Sequence, residues 1–431
     1  MVSSVDDTLR QAQRHQAGGD WLAAAASYAQ LAVRYPHDHR LLANQGNALW
    51  LADLPAAASH AYGQALALQP DCPISRRGQA SCLRDLNQFE AAQALHQQLE
   101  QCLEPGSAEG LANLWAHSQV LIGLERFGEA FQRMACRKAW AAGQRRPLWD
   151  PLAQQLTLVS EQGFGDTLQF VRFVLPLLAR RHSLGMRGGV RLLVEAPLVE
   201  LLREGLAWLA DAPAVACKPP LAAAADTPSL LDLPGALGAT QLPVLRADAA
   251  YLHAPGWQQP TGTPSSRLQV GLVSMAGRPG DDPFCIREFQ KRSLPPAILW
   301  RLVTDLEQRG ARIHDLQYGP EAENHRALGL RLVQPPHGLT GFAATARAVA
   351  PLDLVISVDT AMAHLAGALG RRCWVLLPWS ADPRWPRGGP ATPWYPHTRL
   401  FRQPRPGDWH GAVDLLLESF NSVHFGKRSS Q

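Results

Sequence analysis

PLDLVISVDTAMAHLAGALGRRCWVLLP, residues 351–378, reads as strand, capped turn, helix and strand. Leu352 to Val358 is a short apolar run that suits a buried strand. Asp359 and Thr360 follow at once, and both are good helix N-caps because a side-chain oxygen can accept from free first-turn amides. Ala361 to Leu369 then reads as a helix with Gly370 as its stop, and Arg372 to Leu377 as a second buried strand. This is a βαβ unit. Ligands in such sheets bind beyond the carboxyl ends of the strands, often against a helix N-terminus. Asp359, Thr360 and His364 fall at that edge. The same residues also fit two plain caps and a packed core histidine, and the rest of the chain decides between these.

The 431 residues allow two or three domains with ample core. The net charge of +4 comes from many Arg against only Lys138, Lys218, Lys291 and Lys427, with no dense basic run, so no nucleic-acid surface is expected. Seven scattered Cys argue against a zinc site or a disulfide framework and for a reducing compartment. The N-terminal residues lack the apolar core of a signal peptide. No apolar run reaches the ~18 residues of a membrane span, and the longest, 351–369, is broken by Asp353, Asp359 and His364. A soluble, cytoplasmic protein without a transmembrane segment is the expectation.

Residues 1–147 carry a period of 34: Trp21, Pro55 and Phe89, then Ala24, Ala58 and Ala92, then Tyr28, Tyr62 and His96. Pro36 and Pro70 keep the interval, Pro105 comes one residue later, and a fourth, degenerate copy begins near Phe127. Several position classes recurring at this length predict tetratricopeptide repeats, helix pairs with small residues at their crossings. Such arrays form a concave groove for peptides or partner proteins. Asn44, Asn47, Arg76 and Arg77 are the residues expected to line it, although a spacer fits the pattern equally well.

Residues 152–262 read as a first α/β half. The strand Leu156–Ser160 runs into EQGFGDTLQFVR, where Gly163 and Gly165 permit a tight turn and close backbone approach and Asp166 takes the N-cap of a helix. The turn has neither the Lys-Ser/Thr of a P-loop nor the third Gly of a dinucleotide fingerprint. A carboxylate repels phosphate and is better suited to accept a proton. The strand Val190–Val194 and a helix over 197–208 follow. Residues 212–230 read as an irregular connection and 256–266 as a Pro/Gly/Ser linker.

Residues 267–420 read as a second α/β half. The strand Leu268–Val273 leads through Ser274 into a long loop ending in Lys291 and Arg292, a point charge and a guanidinium fork that suit a phosphate. After the helix Ile298–Gln308, the strand Ala311–Leu316 ends at Gln317, and Glu321 or Glu323 could accept from ribose hydroxyls. A helix over 341–350 precedes the βαβ unit. Residues 379–409 read as a lid or surface loop with aromatic–Arg stacking, and a helix over 408–420 closes the chain.

With these segments in hand, a resemblance appears. VDTAMAHLAGAL is similar to the V-D-T-x-x-x-H-L-x-x-A-L motif of the bacterial lipopolysaccharide heptosyltransferase family, and GFGD to that family's G-D turn. EQGFGDTLQFVR, DTAMAHLAGALG and PWYPHTRLFRQ together look closer to the bacterial tetratricopeptide-repeat glycosyltransferases, whose architecture resembles protein O-GlcNAc transferase. The resemblance spans about 150–420, and more loosely 20–140. It implies an α/β GT-B fold, two Rossmann-like domains behind an all-α repeat solenoid.

It also implies a hexosyl- or heptosyl-type transferase that moves a sugar from a nucleotide-sugar donor to a hydroxyl on a protein or glycan. Asp166 would be the base. The donor set would be Ser274, Lys291, Arg292, Gln317, Glu321, Asp359, Thr360, Ala361, Met362 and His364, with Ala361 standing where heptosyltransferases have Gly. The helix after Thr360, with Lys291 and Arg292, would stabilise the leaving diphosphate without a metal or other cofactor. One base and direct displacement imply inversion. A repeat-groove partner, an inactive transferase-like scaffold, and an epimerase or sugar-phosphate hydrolase stay open as readings.

Overall fold

A computed structural model describes residues 5–104, 106–134, 150–219, 227–242, 250–258, 265–278, 280–336 and 338–422. Part of the fourth repeat, Pro105 and much of the 256–266 linker lie outside them. The chain divides into two compact units. The first holds residues 1–145 with 278–291 and 380–384, and the second holds 146–277, 292–379 and 385–431.

The first unit opens with eight helices among the described residues: α1 (Val5–Ala17), α2 (Trp21–Arg34), α3 (His39–Leu51), α4 (Pro55–Leu68), α5 (Pro73–Asp85), α6 (Phe89–Cys102), α7 (Ala108–Gly123) and α8 (Phe127–Met134). The periodic residues Trp21, Pro55 and Phe89 are the first residues of α2, α4 and α6. Ala24, Ala58 and Ala92 are fully buried where the helices cross. The Tyr62 ring fits between Gly46 and Gly78; a Cβ at Gly78 would lie 2.3 Å from it. The turn inside each repeat needs a left-handed residue, met by Gly19 (φ 74°), Asp53 (φ 58°) and Asn87 (φ 60°), again at the repeat interval. Gly reaches this region freely, and Asp and Asn tolerate it best among the others.

A buried pair of imidazoles joins α6 to α7. His96 Nδ1 lies 2.7 Å from Asn113 Oδ1, and its ring stacks on His117 at 5.5 Å. Burial pushes the His96 pKa down to about 4, outweighing the raising effect of the Asn113 hydrogen bond. Below pH ~6.5 the unfolded chain therefore binds a proton that the folded chain refuses, and stability falls as pH drops toward 4, by about 3 kcal/mol in all from this group. We expect His96→Gln to flatten the decline in melting temperature over that window. An unchanged pH profile would count against this linkage.

The second unit begins with β1 (Leu156–Val159), α9 (Phe164–Phe170), a 3-10 turn over Val171–Phe173, α10 (Val174–Ser183), β2 (Val190–Val194), α11 (Ala196–Gly205), β3 (Ala214–Cys217) and the short α12 (Leu233–Ala236). The strands form a parallel sheet in the order β1-β2-β3. Then come β4 (Leu268–Val273), α13 (Pro283–Arg292), α14 (Pro296–Gln308), β5 (Ala311–Asp315), α15 (Ala322–Ala327), α16 (Phe342–Val349), β6 (Leu354–Val358), α17 (Ala361–Ala368), β7 (Cys373–Leu377), β8 (Thr398–Arg402) and α18 (Trp409–Ser422). This second sheet is also parallel, in the order β5-β4-β6-β7-β8. Its core joins Leu302 and Leu306 of α14 to Trp374, Phe401, Val413 and Leu416. A helical repeat region followed by two Rossmann-like parallel sheets is thus the architecture of the chain, as the sequence predicts.

The structure adds four elements where the sequence reads as loop. The long loop before Arg292 contains α13, the irregular 212–230 connection contains β3, the aromatic segment after Pro378 ends in β8, and α15 follows Gln317.

Helix α13 lies in the first unit up to Lys291. Its Arg287 is 3% exposed and donates to Asp53 Oδ1 (2.7 Å), Asp85 Oδ2 (2.8 Å) and Glu288 Oε1 (2.9 Å). The guanidinium also lies 4.5 Å from the Trp50 ring centroid, and Trp50 Nε1 donates to the same Asp85 oxygen. The repeat helices α3 and α5 thereby hold a segment of the chain's own second half.

Candidate active site

In the second sheet β4 is flanked by β5 on one side and β6 on the other. The chain reverses its direction of winding between β4 and β6. A ligand crevice opens at such a switch point, beyond the carboxyl ends of the strands. Val273 pairs with Ser357, so Ser274 and the Asp359-Thr360 turn reach the same edge.

Thr360 is the N-cap of α17. Its hydroxyl accepts from Met362 N–H at 3.2 Å and lies 3.1 Å from Ser357 Oγ. Asp359 is not a cap; it is 4% exposed and its carbonyl accepts from Arg292 Nη1 at 3.3 Å. Ala361 is half-buried and Met362 buried at the first turn. Burial and the neighbouring Arg387 push the Arg402 pKa down to about 10, with Asp359 opposing them. Arg402 spends its guanidinium on the carbonyls of Pro378, Trp379, Trp385 and Pro386. Arg387 stacks over Trp379 at 4.2 Å. Together with Arg292, these guanidiniums give the edge a positive character beside the Asp359 carboxylate. Arg387 on Trp379 is the aromatic–Arg stacking expected of this segment, whereas Arg402 went unnamed because β8 read as part of a loop.

The GFGD segment comes to this edge from the first α/β half. Helix α9 starts one residue after Gly163, its N-cap, so Asp166 occupies the third helical position and not the cap. There its Oδ2 accepts from Gly163 N–H at 3.1 Å. The preceding Gln162 is left-handed, with φ 64°. Gly165 faces α17: a Cβ there would lie 2.8 Å from His364 Cδ2 and 3.5 Å from Ala361 Cα. The glycine permits close helix packing, and the two motifs singled out in the sequence touch through it.

His364 is 3% exposed. Its Nδ1 lies 2.8 Å from Tyr395 Oη, and its ring stacks on Trp385 at 5.2 Å. With Gly165 against the ring, His364 is packed on three sides. Because the ring is wedged, it cannot give way to a new methyl group. Gly165→Ala is therefore expected to cost about 1–3 kcal/mol through overpacking, read as a fall in melting temperature. An unchanged melting temperature would contradict the α9–α17 packing.

Ser274 is fully buried and takes part in a network that the sequence did not reveal. Ser274 Oγ lies 2.6 Å from His325 Nε2, and His325 Nδ1 lies 2.9 Å from Asp315 Oδ1. Burial raises the Asp315 pKa, but hydrogen bonds from His325, Gln334 and Gln317 N–H outweigh it, and the carboxyl lies below the usual range. An ionised Asp315 fixes the proton on His325 Nδ1. Gln317 Oε1 accepts from the N–H groups of Ser274 (3.1 Å) and Met275 (3.0 Å), while its Nε2 donates to Met275 carbonyl. The atoms have the order of a Ser-His-Asp relay. A nucleophile with no exposed surface is not one, and the network instead ties the carboxyl ends of β4 and β5 together.

Glu321 precedes α15 and is half-buried. Lys291 belongs to the first unit, where Nζ donates to Glu288 Oε1 at 2.6 Å. The structure therefore gathers Gly163, Gly165, Asp166, Arg292, Asp359, Thr360, Ala361, Met362 and His364 around the α9–α17 seat. Ser274, Gln317 and Glu321 follow β4 and β5. No described helix is long and apolar enough to cross a membrane.

No family model matches the chain. Among curated proteins it is similar to protein FlbA of Caulobacter vibrioides, at 28% identity over 83% of this chain and 63% of that protein. The chain thus spans less than two thirds of that relative's length. Among solved structures, E. coli heptosyltransferase WaaC with ADP is similar at 15% identity and a TM-score of 0.38, over 62% of this chain and 99% of that one. E. coli ADP-heptose lps heptosyltransferase II is similar at 13% and 0.38, over 62% and 98%. A Thermobaculum terrenum O-GlcNAc transferase mutant is similar at 13% and 0.32, over 97% and 90%.

Proposed function

We propose that the chain is a glycosyltransferase that moves a sugar from a nucleotide-sugar donor to a hydroxyl of a protein or glycan. The observation that carries this reading is the seating of the Asp166 helix on α17 through Gly165, beside the switch point of the second sheet. An acid–base carboxylate from one α/β half and an electropositive strand edge from the other are the two parts a sugar transfer needs. The diphosphate would lie at the amino end of α17, where the helix dipole and Arg292 favour anions. Asp166 would take the proton from the acceptor hydroxyl as it attacks the anomeric carbon. Charge on the leaving diphosphate would be met by Arg292, Arg387 and the helix end, with no metal required.

The test is to follow UDP-, GDP-, ADP- and dTDP-hexoses by NMR in EDTA. The expected result is consumption of one donor with inversion at the anomeric carbon. Retention, or activity that appears only with added divalent metal, would overturn the mechanism.

A second reading, a transferase-like scaffold that binds nucleotides without turnover, is favoured by one observation: Lys291, expected on the donor phosphate, is engaged by Glu288 in the first unit. Nucleotide binding with no transfer and no hydrolysis would decide for it.

A further inference from the structure

Helix α9 has seven residues and an exposed start at Gly163 and Phe164. So short a helix has little stability of its own and takes its position from what it packs on. At its start Gly165 sits on His364, and Phe164 packs edge-on against Phe342 at 5.2 Å. Near its end the Leu168 carbonyl accepts from Tyr251 Oη at 2.8 Å. Just beyond its end is Arg172, fully buried. The Arg172 guanidinium has no carboxylate partner among the described residues. It lies over the rings of Tyr251 (5.0 Å), Tyr395 (5.1 Å) and Trp394 (5.6 Å), and its Nη2 donates to the Trp394 carbonyl at 2.5 Å. Its Nε and Nη1 have no hydrogen-bond partner among the described residues. Tyr395 then closes the chain of contacts, since its hydroxyl meets His364 Nδ1 and its ring presses on Gly367, where a Cβ would lie 2.3 Å away.

We infer that Arg172 and Tyr395 are positioning residues that clamp the two ends of α9 to one aromatic block, and so fix where Asp166 meets the substrate. The inference rests on the glycosyltransferase reading for its catalytic consequence, but its structural half stands apart from that reading. A buried cation with one hydrogen bond is costly, and an apolar residue of similar volume is often as stable or more so. Stability alone therefore does not account for an arginine here. Cation–π contact with three faces gives a direction as well as an attraction, which an apolar side chain lacks.

Arg172→Met and Tyr395→Phe separate the two roles. Three quantities are read on the full chain: melting temperature, amide hydrogen exchange over 164–170, and nucleoside diphosphate released from UDP-, GDP-, ADP- and dTDP-hexoses with water as acceptor. For Arg172→Met we expect an equal or higher melting temperature, an unchanged nucleotide-induced thermal shift, exchange over α9 faster by tenfold or more, and release slower by tenfold or more. Tyr395→Phe should move exchange and release the same way while KM for the donor holds. Unchanged α9 exchange, or release and melting temperature falling together, would overturn the inference. If the wild-type chain releases nothing from any donor, the glycosyltransferase reading fails. The exchange arm then judges the clamp alone, faster exchange supporting it and unchanged exchange refuting it.

Discussion

Arg287→Ala is expected to destabilise the repeat unit by about 3 kcal/mol, because it takes a hydrogen-bonded cation from the buried Asp85 carboxylate and leaves Arg84 to balance it. Asp85 is 4% exposed and depends on this partner. Burial raises its pKa, yet Arg84, Lys291 and Arg287 more than cancel that and hold the carboxyl far below the usual range. The sign follows from the depressed value. Asp85 contributes stability that is complete above its unfolded pKa near 4 and is lost as pH falls toward the folded value. Asp53 moves the other way: burial raises it in spite of Arg287 and Lys291. Removing Arg287 thus takes one counter-charge from Asp85, which keeps Arg84 and Lys291, and the largest counter-charge from Asp53. It also removes the cation stacked on Trp50, against which Phe284 packs at 6.0 Å. Urea denaturation of the intact chain reads the loss, and limited proteolysis between 278 and 291 reads release of α13. Arg287→Lys keeps the charge but not the fork that spans two carboxylates, and should recover only part of the stability. A variant as stable as wild type and equally resistant in this segment would show that α13 is not held by the repeats.

Asp166→Asn is expected to lower sugar transfer by about 100- to 10,000-fold, the usual range for loss of a general base. The amide keeps an oxygen that can accept from Gly163 N–H, so the helix start and the melting temperature should hold. Donor affinity should hold as well, since the proposed diphosphate contacts lie on α17, Arg292 and Arg387. Rate is then the one quantity that moves. A transfer rate within threefold of wild type would remove Asp166 from the base role. A parallel loss of donor binding would place it among the donor contacts.

The repeats were legible because several position classes recur at one interval, and each class proved to have a physical job. Trp21, Pro55 and Phe89 start helices, and Ala24, Ala58 and Ala92 are the crossings. The fully buried strands β6 and β7 were legible as short, mainly apolar runs. Helix α13 was not, since PFCIREFQKR has no apolar stripe and buries a charged side chain, Arg287, on ionic and aromatic partners. A hydrophobic pattern cannot announce such a face. Strand β8, TRLFR, was masked by its two arginines, one of which spends its guanidinium on loop carbonyls. At the candidate site the motifs were visible but their meeting was not. Gly165 read as a glycine for a tight turn and a close approach; the close approach is to His364, which the sequence could not name because it lies in the other α/β half. The Asp315–His325–Ser274 network had no spacing signal, as its three members come from β5, α15 and the end of β4.

A thermal-shift titration of the full chain with UDP, GDP, ADP and dTDP in EDTA, repeated on Arg292→Ala, tests the central claim most directly. Specific binding raises the melting temperature by mass action. The account predicts a shift that grows with concentration for one nucleoside diphosphate and is lost in the variant. No shift with any of the four, or a shift that Arg292→Ala leaves intact, would contradict a nucleotide-sugar site at the β4–β6 switch point.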